Sequence, residues 1–153
     1  MANLTSAPGR RDFIDETMTD NKNKGLRILL VEDEPANVYL FREFLVRAPD
    51  LPDAHIEVVD RLALALVRLA TEPFDLVFLD LGLPDSYGIK TIETFRRSAP
   101  KIPVVVLSNS VDPRVEDEVL AHGASAFLRK TDSFPGSLAR AVRDALIVLP
   151  DLS

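Results

Sequence analysis

Phe74-Asp75-Leu76-Val77-Phe78-Leu79 runs into Asp80, and this apolar stretch ending on a carboxylate decides the fold. Three other stretches are built the same way. Ile28-Leu29-Leu30-Val31 runs into Glu32-Asp33, Ile102-Pro103-Val104-Val105-Val106-Leu107 into Ser108, and Ala124-Ser125-Ala126-Phe127-Leu128-Arg129 into Lys130. Short, near-continuous apolar runs are what a parallel sheet covered on both faces requires. In an open parallel sheet the carboxyl ends of the strands share one edge, where the ligand crevice forms. Residues distant in sequence then converge there: carboxylates, a hydroxyl and a lysine. That set suits a divalent cation and a phosphoryl group.

Helical segments alternate with the strands. The first strand is expected near Leu26–Val31, followed by a helix from about Glu34 to Arg47 with Val38, Phe41, Phe44 and Leu45 on one side. Pro35 fits the first turn of that helix. Pro49 and Pro52 break the chain before a strand near His55–Val59, and Asp60 reads as the N-cap of a helix carrying Leu62, Leu66 and Leu69. After the Phe74–Leu79 strand come a Gly/Pro loop over Gly82–Gly88 and a helix with Ile89, Ile92 and Phe95. Asp112-Pro113 pairs a cap with a proline at the first helical position, and Gly123 ends the helix that carries Val115, Val119 and Leu120. A last helix holds Leu138, Val142, Ala145 and Leu146. Five β-α units with right-handed crossovers place helices on both faces of one sheet.

Composition bounds the function. A chain of 153 residues that is 46% hydrophobic can build one real core. A net charge of −6 and a pI near 4.9 argue against direct nucleic-acid or anionic-membrane binding. The absence of cysteine removes disulfides and thiolate metal sites. No apolar run reaches the roughly 20 residues of a membrane span, and the N-terminus lacks an apolar signal region, so a cytoplasmic protein is expected. Residues 1–24 are polar with balanced charge and read as a flexible tail. An unstructured extension is the favoured reading; a short helical turn around Asp12–Met18, with Phe13 and Ile14 in a docking role, is the lesser alternative. Residues 150–153 follow the last helix as a C-terminal tail, leaving little room for an output domain. His55 and His122 have no partner at metal-ligand spacing, and Arg96, Arg97, Arg140 and Arg143 read as solvated helix faces.

Asp80 at a strand end can attack a phosphoryl group and form an acyl phosphate. Asp33 and Glu32 can hold a metal beside it, because three clustered carboxylates repel one another and call for a cation. Lys130 supplies a fixed positive charge, and Ser108 a hydrogen-bond donor for a phosphate oxygen.

The segments ILLVEDEP (28–35), DLVFLDLGLPDSYG (75–88), VVVLSNS (104–110) and GASAFLRK (123–130) resemble the response-regulator receiver domain of bacterial two-component signalling, the CheY-like group, here as a stand-alone regulator. The resemblance covers about Leu26 to Val148, with the receiver domain spanning 25–149. It implies a flavodoxin-like (βα)5 doubly wound α/β fold with strand order 2-1-3-4-5. It also implies Asp80 as phosphoacceptor, and Glu32, Asp33, Asp80 and the backbone carbonyl of Gly82 as the Mg2+ site. Ser108 matches the switch hydroxyl, Lys130 the active-site lysine, and Phe127 the aromatic rotamer switch. The implied partners are a histidine kinase or histidine phosphotransferase, docking at the first helix and the loop Thr131–Phe134. A downstream target or a phosphorylation-dependent homodimer would use the face made by the helix after Asp112, the strand ending at Lys130 and the last helix. Glu32 is longer than the usual aspartate, Thr131 stands where many receivers have a cis-proline, Asn109 follows the switch serine where a smaller residue is usual, and Tyr87 stands where an acid is frequent.

The expected function is a phosphoacceptor switch that catalyses only its own phosphoryl transfer and dephosphorylation, so it is not an enzyme acting on other substrates. Alternatives are a phosphate shuttle or sink, and an interaction module that works without phosphorylation. A magnesium-dependent aspartyl phosphatase would want a second aspartate two residues after the nucleophile, where this chain has Gly82.

Overall fold

The computed structural model describes residues 25–132 and 135–147. The alternative turn around Asp12–Met18, the last two residues of the loop Thr131–Phe134 and both expected tails lie outside the described residues.

The elements in chain order are β1 (Leu26–Val31), α1 (Pro35–Val46), β2 (Ala54–Val59), α2 (Leu62–Thr71), β3 (Leu76–Asp80), α3 (Ile89–Ser98), β4 (Val104–Ser108), α4 (Pro113–Ala121), β5 (Ala126–Arg129) and α5 (Pro135–Ile147). A two-residue hairpin, Gly82–Leu83 with Ser86–Tyr87, decorates the loop after β3. All five main strands run parallel in the order β2-β1-β3-β4-β5, the doubly wound arrangement expected from the sequence. Every residue of β3 and β4 is buried, as the apolar runs required.

Side-chain alternation divides the core into two layers. Ile28, Leu30, Leu76, Phe78 and Val105 face α1 and α5, where Phe41, Leu45, Leu138 and Val142 meet them. Phe41 and Phe78 pack edge to face, with ring centres 4.6 Å apart. Leu29, Val31, Val77, Leu79 and Val106 face α2, α3 and α4, against Ala65, Ile92, Phe95 and Val119.

The register keeps Glu32 level with Asp80 and then lifts the functional row one step per strand across β4 and β5. Val31 pairs with Leu79, so Glu32 follows β1 where Asp80 ends β3. Asp80 pairs with Leu107, which puts Ser108 one residue higher, and Ser108 pairs with Arg129, which puts Lys130 one higher again.

Three expectations need correction. Strands expected to begin at Phe74, Ile102 and Ala124 begin two residues later, at Leu76, Val104 and Ala126. Phe74, Ile102 and Ala124 pack against the base of the core, and Pro103 joins the ladder only through its carbonyl, which accepts from the Val77 N–H at 3.0 Å. Phe74 lies under the guanidinium groups of Arg27 and Arg68, at 4.8 and 5.8 Å, and Pro103 has no N–H to donate. Asp60 does not cap α2; it pairs with Arg61 at 3.0 Å. The cap comes from the loop over the crevice, where Asp85 accepts from the Leu62 and Ala63 N–H groups at 2.8 and 2.9 Å. The third correction is Arg96, which is not on a solvated face. Its guanidinium donates to the carbonyls of Ala99 (2.9 Å), Ile102 (2.6 Å) and Gly123 (2.7 Å). Gly123 has φ of 101°, and a Cβ there would sit 3.1 Å from the Arg96 Nε. A glycine therefore suits both the turn and the approach of the arginine.

Arg96→Ala leaves those carbonyls without their charged donor and should lower the folding free energy by about 2–3 kcal/mol. Arg97→Ala, one residue on and exposed, should change it by no more than about 0.5 kcal/mol. Urea unfolding of the two variants beside the unsubstituted chain measures the difference.

Candidate active site

The carboxyl edge of the sheet opens into a crevice of about 820 Å3 lined by Glu32, Asp33, Asp80, Gly82, Ser108 and Lys130, among others. All six residues expected to do chemistry thus share one cavity. Each is delivered by a strand end or by the loop that follows it, so their positions are fixed by the sheet register.

Lys130 organises the charges. Its Nζ lies 2.9 Å from Glu32 Oε1 and 3.2 Å from Asp80 Oδ2. Glu32 is almost fully buried, and its other oxygen accepts from the Glu34 N–H at 3.1 Å and from Asn37 Nδ2 at 3.5 Å. Asp80 is equally buried, and its Oδ1 accepts from the Gly82 N–H at 3.2 Å. Asp33 is exposed and stands at the mouth of the crevice. Oxygens of Glu32, Asp33 and Asp80 all lie within 4.8 Å of one another. At that separation each pair of like charges repels by about 3.5 kcal/mol at an effective dielectric near 20. One ammonium cannot balance three carboxylates.

The protonation equilibria follow from this arrangement. Burial, reinforced by the neighbouring charge of Glu32, raises the Asp80 carboxyl above its usual pKa of 3.8; Lys130 and the Gly82 N–H oppose the shift without cancelling it. Burial works against the charge of Lys130, but its hydrogen bond to Glu32 and the charges of Asp80 and Glu32 outweigh that, so its pKa lies above the usual value and it stays cationic.

Ser108 is buried at the end of β4, and its Oγ accepts from the Ser110 N–H at 3.0 Å. A hydroxyl that accepts there can still donate its own proton. Ser110 Oγ in turn accepts from the Asp112 N–H, and Asp112 caps α4 by accepting from the Arg114 N–H. This Asp112 cap is the one expected from the sequence. A relay of hydrogen bonds therefore runs from the crevice to the first turn of α4. Phe127 is not in the crevice. It lies on β5, half-buried against the α4 side of the core, with the Arg129 guanidinium 5.6 Å from its ring. Lys130 opens a single 3-10 turn, Lys130–Asp132, at the position of Thr131, and the described residues contain no cis peptide. His122 bridges α3 and α4, with Nε2 3.0 Å from Glu93 and Nδ1 2.8 Å from the Glu118 carbonyl.

Two supporting residues escaped the sequence reading. Asn37, one helical turn beyond Asp33, steadies Glu32, and Ser110 links Ser108 to α4. The bond of Asn37 to Glu32 spans five residues from the loop into the first turn of α1, a spacing with no local signature. Nothing local marked the second either.

Comparison with known proteins agrees with this geometry. The response regulator receiver domain family matches residues 28–142. The KDP operon transcriptional regulatory protein KdpE of Escherichia coli (strain K12) is 35% identical over 119 residues, covering 78% of this chain and 50% of that protein. The glycerol metabolism activator of Pseudomonas putida is 31% identical over 108 residues, covering 69% of this chain and 47% of that protein. The chain thus spans about half the length of these relatives. A CheY-like response regulator receiver domain protein from Methanospirillum hungatei JF-1 shares the fold, with a TM-score of 0.69 at 21% identity over 85% of this chain and 100% of that one.

Because the pKa of Asp80 is raised in the folded state, folding is linked to pH in a definite sense. The folded chain holds this proton where the unfolded chain has released it, so the contribution of Asp80 to stability falls as pH rises from about 4 through its raised pKa. Asp80→Asn should therefore be more stable than the unsubstituted chain at neutral pH, and the gap should narrow on acidification toward the usual aspartate range. Urea unfolding across that pH range checks both the sign and the trend.

Proposed function

The chain belongs to the response regulator receiver domain family, and from that premise we propose that it is a phosphoacceptor of a two-component system or phosphorelay, phosphorylated on Asp80. The observation that carries the proposal is the convergence of buried Asp80, Glu32 and Lys130, with Ser108, in one crevice at the carboxyl edge of the sheet. A histidine kinase or histidine phosphotransferase is the donor. A carboxylate oxygen of Asp80 attacks the phosphorus of the phosphohistidine, an O–P bond forms, and the N–P bond breaks as the imidazole leaves. Burial keeps the Asp80 carboxylate basic and hence nucleophilic. Lys130 pairs with a phosphoryl oxygen and Ser108 donates to another. Phosphoryl transfer depends on positioning and charge neutralisation far more than on covalent help, which is what these groups offer.

The donor set fits magnesium. It offers hard oxygens only, and it carries an excess of negative charge that Lys130 does not cancel. Asp33, Asp80 and Glu32, with the Gly82 carbonyl, would hold the ion, which when bound supplies positive charge against the phosphoryl oxygens. The chain acts on its own Asp80 and turns over no other substrate. Gly82 stands where an aspartyl phosphatase of similar fold would carry its second aspartate.

The phosphoryl group adds about −1.5 to −2 charges. Ser108 then moves toward it and gives up its bond to Ser110, and Phe127 turns into the vacated space. The relay through Ser110 to Asp112 carries the change to α4. The face of α4, β5 and α5 is thereby remodelled for a downstream protein or a second copy, while α1 receives the phosphodonor. A role as a phosphate shuttle or sink uses the same Asp80 chemistry without that face. No helix of the described residues is long and apolar enough to cross a membrane.

Incubation with a small phosphodonor and magnesium should add one base-labile phosphoryl group to the intact protein, seen by mass spectrometry. Chelation with EDTA should abolish it, and Asp80→Asn should take up none. Asp33→Ala should stay folded and bind magnesium at least about tenfold more weakly by calorimetry, given that even outer-shell partners of metal ligands cost 10–100-fold. Full labelling of Asp80→Asn, or unchanged magnesium affinity in Asp33→Ala, would overturn the assignment.

A further inference from the structure

Helix α2 breaks a rule that the other described helices of its layer obey. A surface helix normally turns charged and polar residues outward. Helix α3 does so, with Lys90 and Arg97 exposed. Helix α2 reads LALALVRLAT. Leu62 and Ala65 are buried, while Ala63, Leu64, Val67 and Ala70 are exposed, Leu64 by 46% and Val67 by 58%. Its single charged residue, Arg68, is half-buried and occupied by Glu57 (2.8 Å) and Glu72. The outward side of α2 is therefore apolar from Ala63 to Ala70. Beside it, between α2 and the end of α3, runs a groove of about 440 Å3 lined by Leu66, Leu69, Ala70, Pro100, Lys101 and Ile102.

The described chain begins close to this surface. Arg27, near the start of β1, points to the α2 side of the sheet, with Nη2 3.3 Å from Glu72 and the guanidinium 4.8 Å from the Phe74 ring. The described fold thus begins near the carboxyl end of α2, with Leu26 itself turned to the α1 and α5 layer. Helix α2 has 10 residues and is about 15 Å long. The chain from residue 25 back to Met18 can extend about 23 Å, so the neighbouring residues reach every part of the groove. The apolar residues of this stretch are Phe13, Ile14 and Met18, whose spacing would put them on one side of a helical turn. Asp12, Asp15 and Glu16 accompany them, opposite in charge to Lys101 on the rim of the groove. A tethered segment acts at a millimolar effective concentration, so it competes well with any separate partner for this surface.

We propose that the segment Asp12–Met18 docks across α2 and the groove beside it, with Phe13, Ile14 and Met18 against Leu66, Val67 and Ala70 and the acidic residues toward Lys101. This contact lies on the opposite face of the sheet from α1 and α5, and it does not depend on the chemistry of Asp80.

The chain has no cysteine, so a single Thr19→Cys substitution in the full-length protein gives one site for a nitroxide label. Docking predicts loss of the amide NMR signals of residues 63–70 and of Ala99, Lys101 and Ile102, with those of α1 and α5 retained. Val67→Lys, at an exposed position, should restore the lost signals, as should Phe13→Ser combined with Ile14→Ser. The proposal is overturned by an even, weak effect over the whole surface, or by losses confined to the side of Leu26 and Leu51. It is equally overturned if the losses arise between a labelled chain and a separate isotope-enriched chain, which would mean that a second copy supplies the segment.

Discussion

One ammonium group holds two buried carboxylates together at the edge of this sheet. Lys130 lies within 3.2 Å of both Glu32 and Asp80, which come from different strands and would otherwise repel. An uncompensated buried charge is strongly destabilising, so the sheet register, the burial of Asp80 and the position of Lys130 depend on one another. The balance is incomplete. Asp33 adds a third carboxylate, and the cluster keeps a net negative charge that a cation relieves. A phosphoryl group on Asp80 competes for the same ammonium. The same electrostatics therefore account for the resting geometry and underlie both the magnesium site and the response to phosphorylation that we propose.

The surrounding fold turns this local chemistry into a mechanical connection. Ser108 is tied to Ser110, Ser110 to the backbone of Asp112, and Asp112 to the first turn of α4. On the other side of the crevice, Asp85 leaves the same loop as Gly82 and caps α2. The loops that line the crevice are thus fastened to the N-terminal ends of two helices. Movement of either loop has a direct path to the helical layer, whereas β3 and β4, buried on both faces, form the fixed frame.

How much of this was legible in the sequence follows from the range of each interaction. Glu32, Asp33, Asp80, Ser108 and Lys130 could be read because each ends an apolar run or directly follows one, and parallel topology does the rest. Asp112 could be read because its cap is local, two residues from the amide it holds. Asp85 could not, because it reaches amides 22 and 23 residues away and displaces the nearer Asp60. Arg96 reads as a solvated helix residue because all its partners, Ala99, Ile102 and the distant Gly123, are backbone carbonyls that no side chain signals. The late strand starts have the same origin: Phe74 is apolar enough for a strand, but the cations above it come from Arg27 and Arg68, elsewhere in the chain.

The central claim is that charge change at Asp80 is transmitted through Ser108 to the α4, β5 and α5 face. An amide NMR titration with beryllofluoride and magnesium, which together mimic the phosphoryl group, tests it most directly. The account predicts large shifts at Asp80, Ser108 and Ser110 that continue through Phe127 and along α4 and α5, and their absence in Ser108→Ala beyond the crevice. Shifts confined to the residues around Asp80, with Phe127 and α4 unchanged, would contradict it.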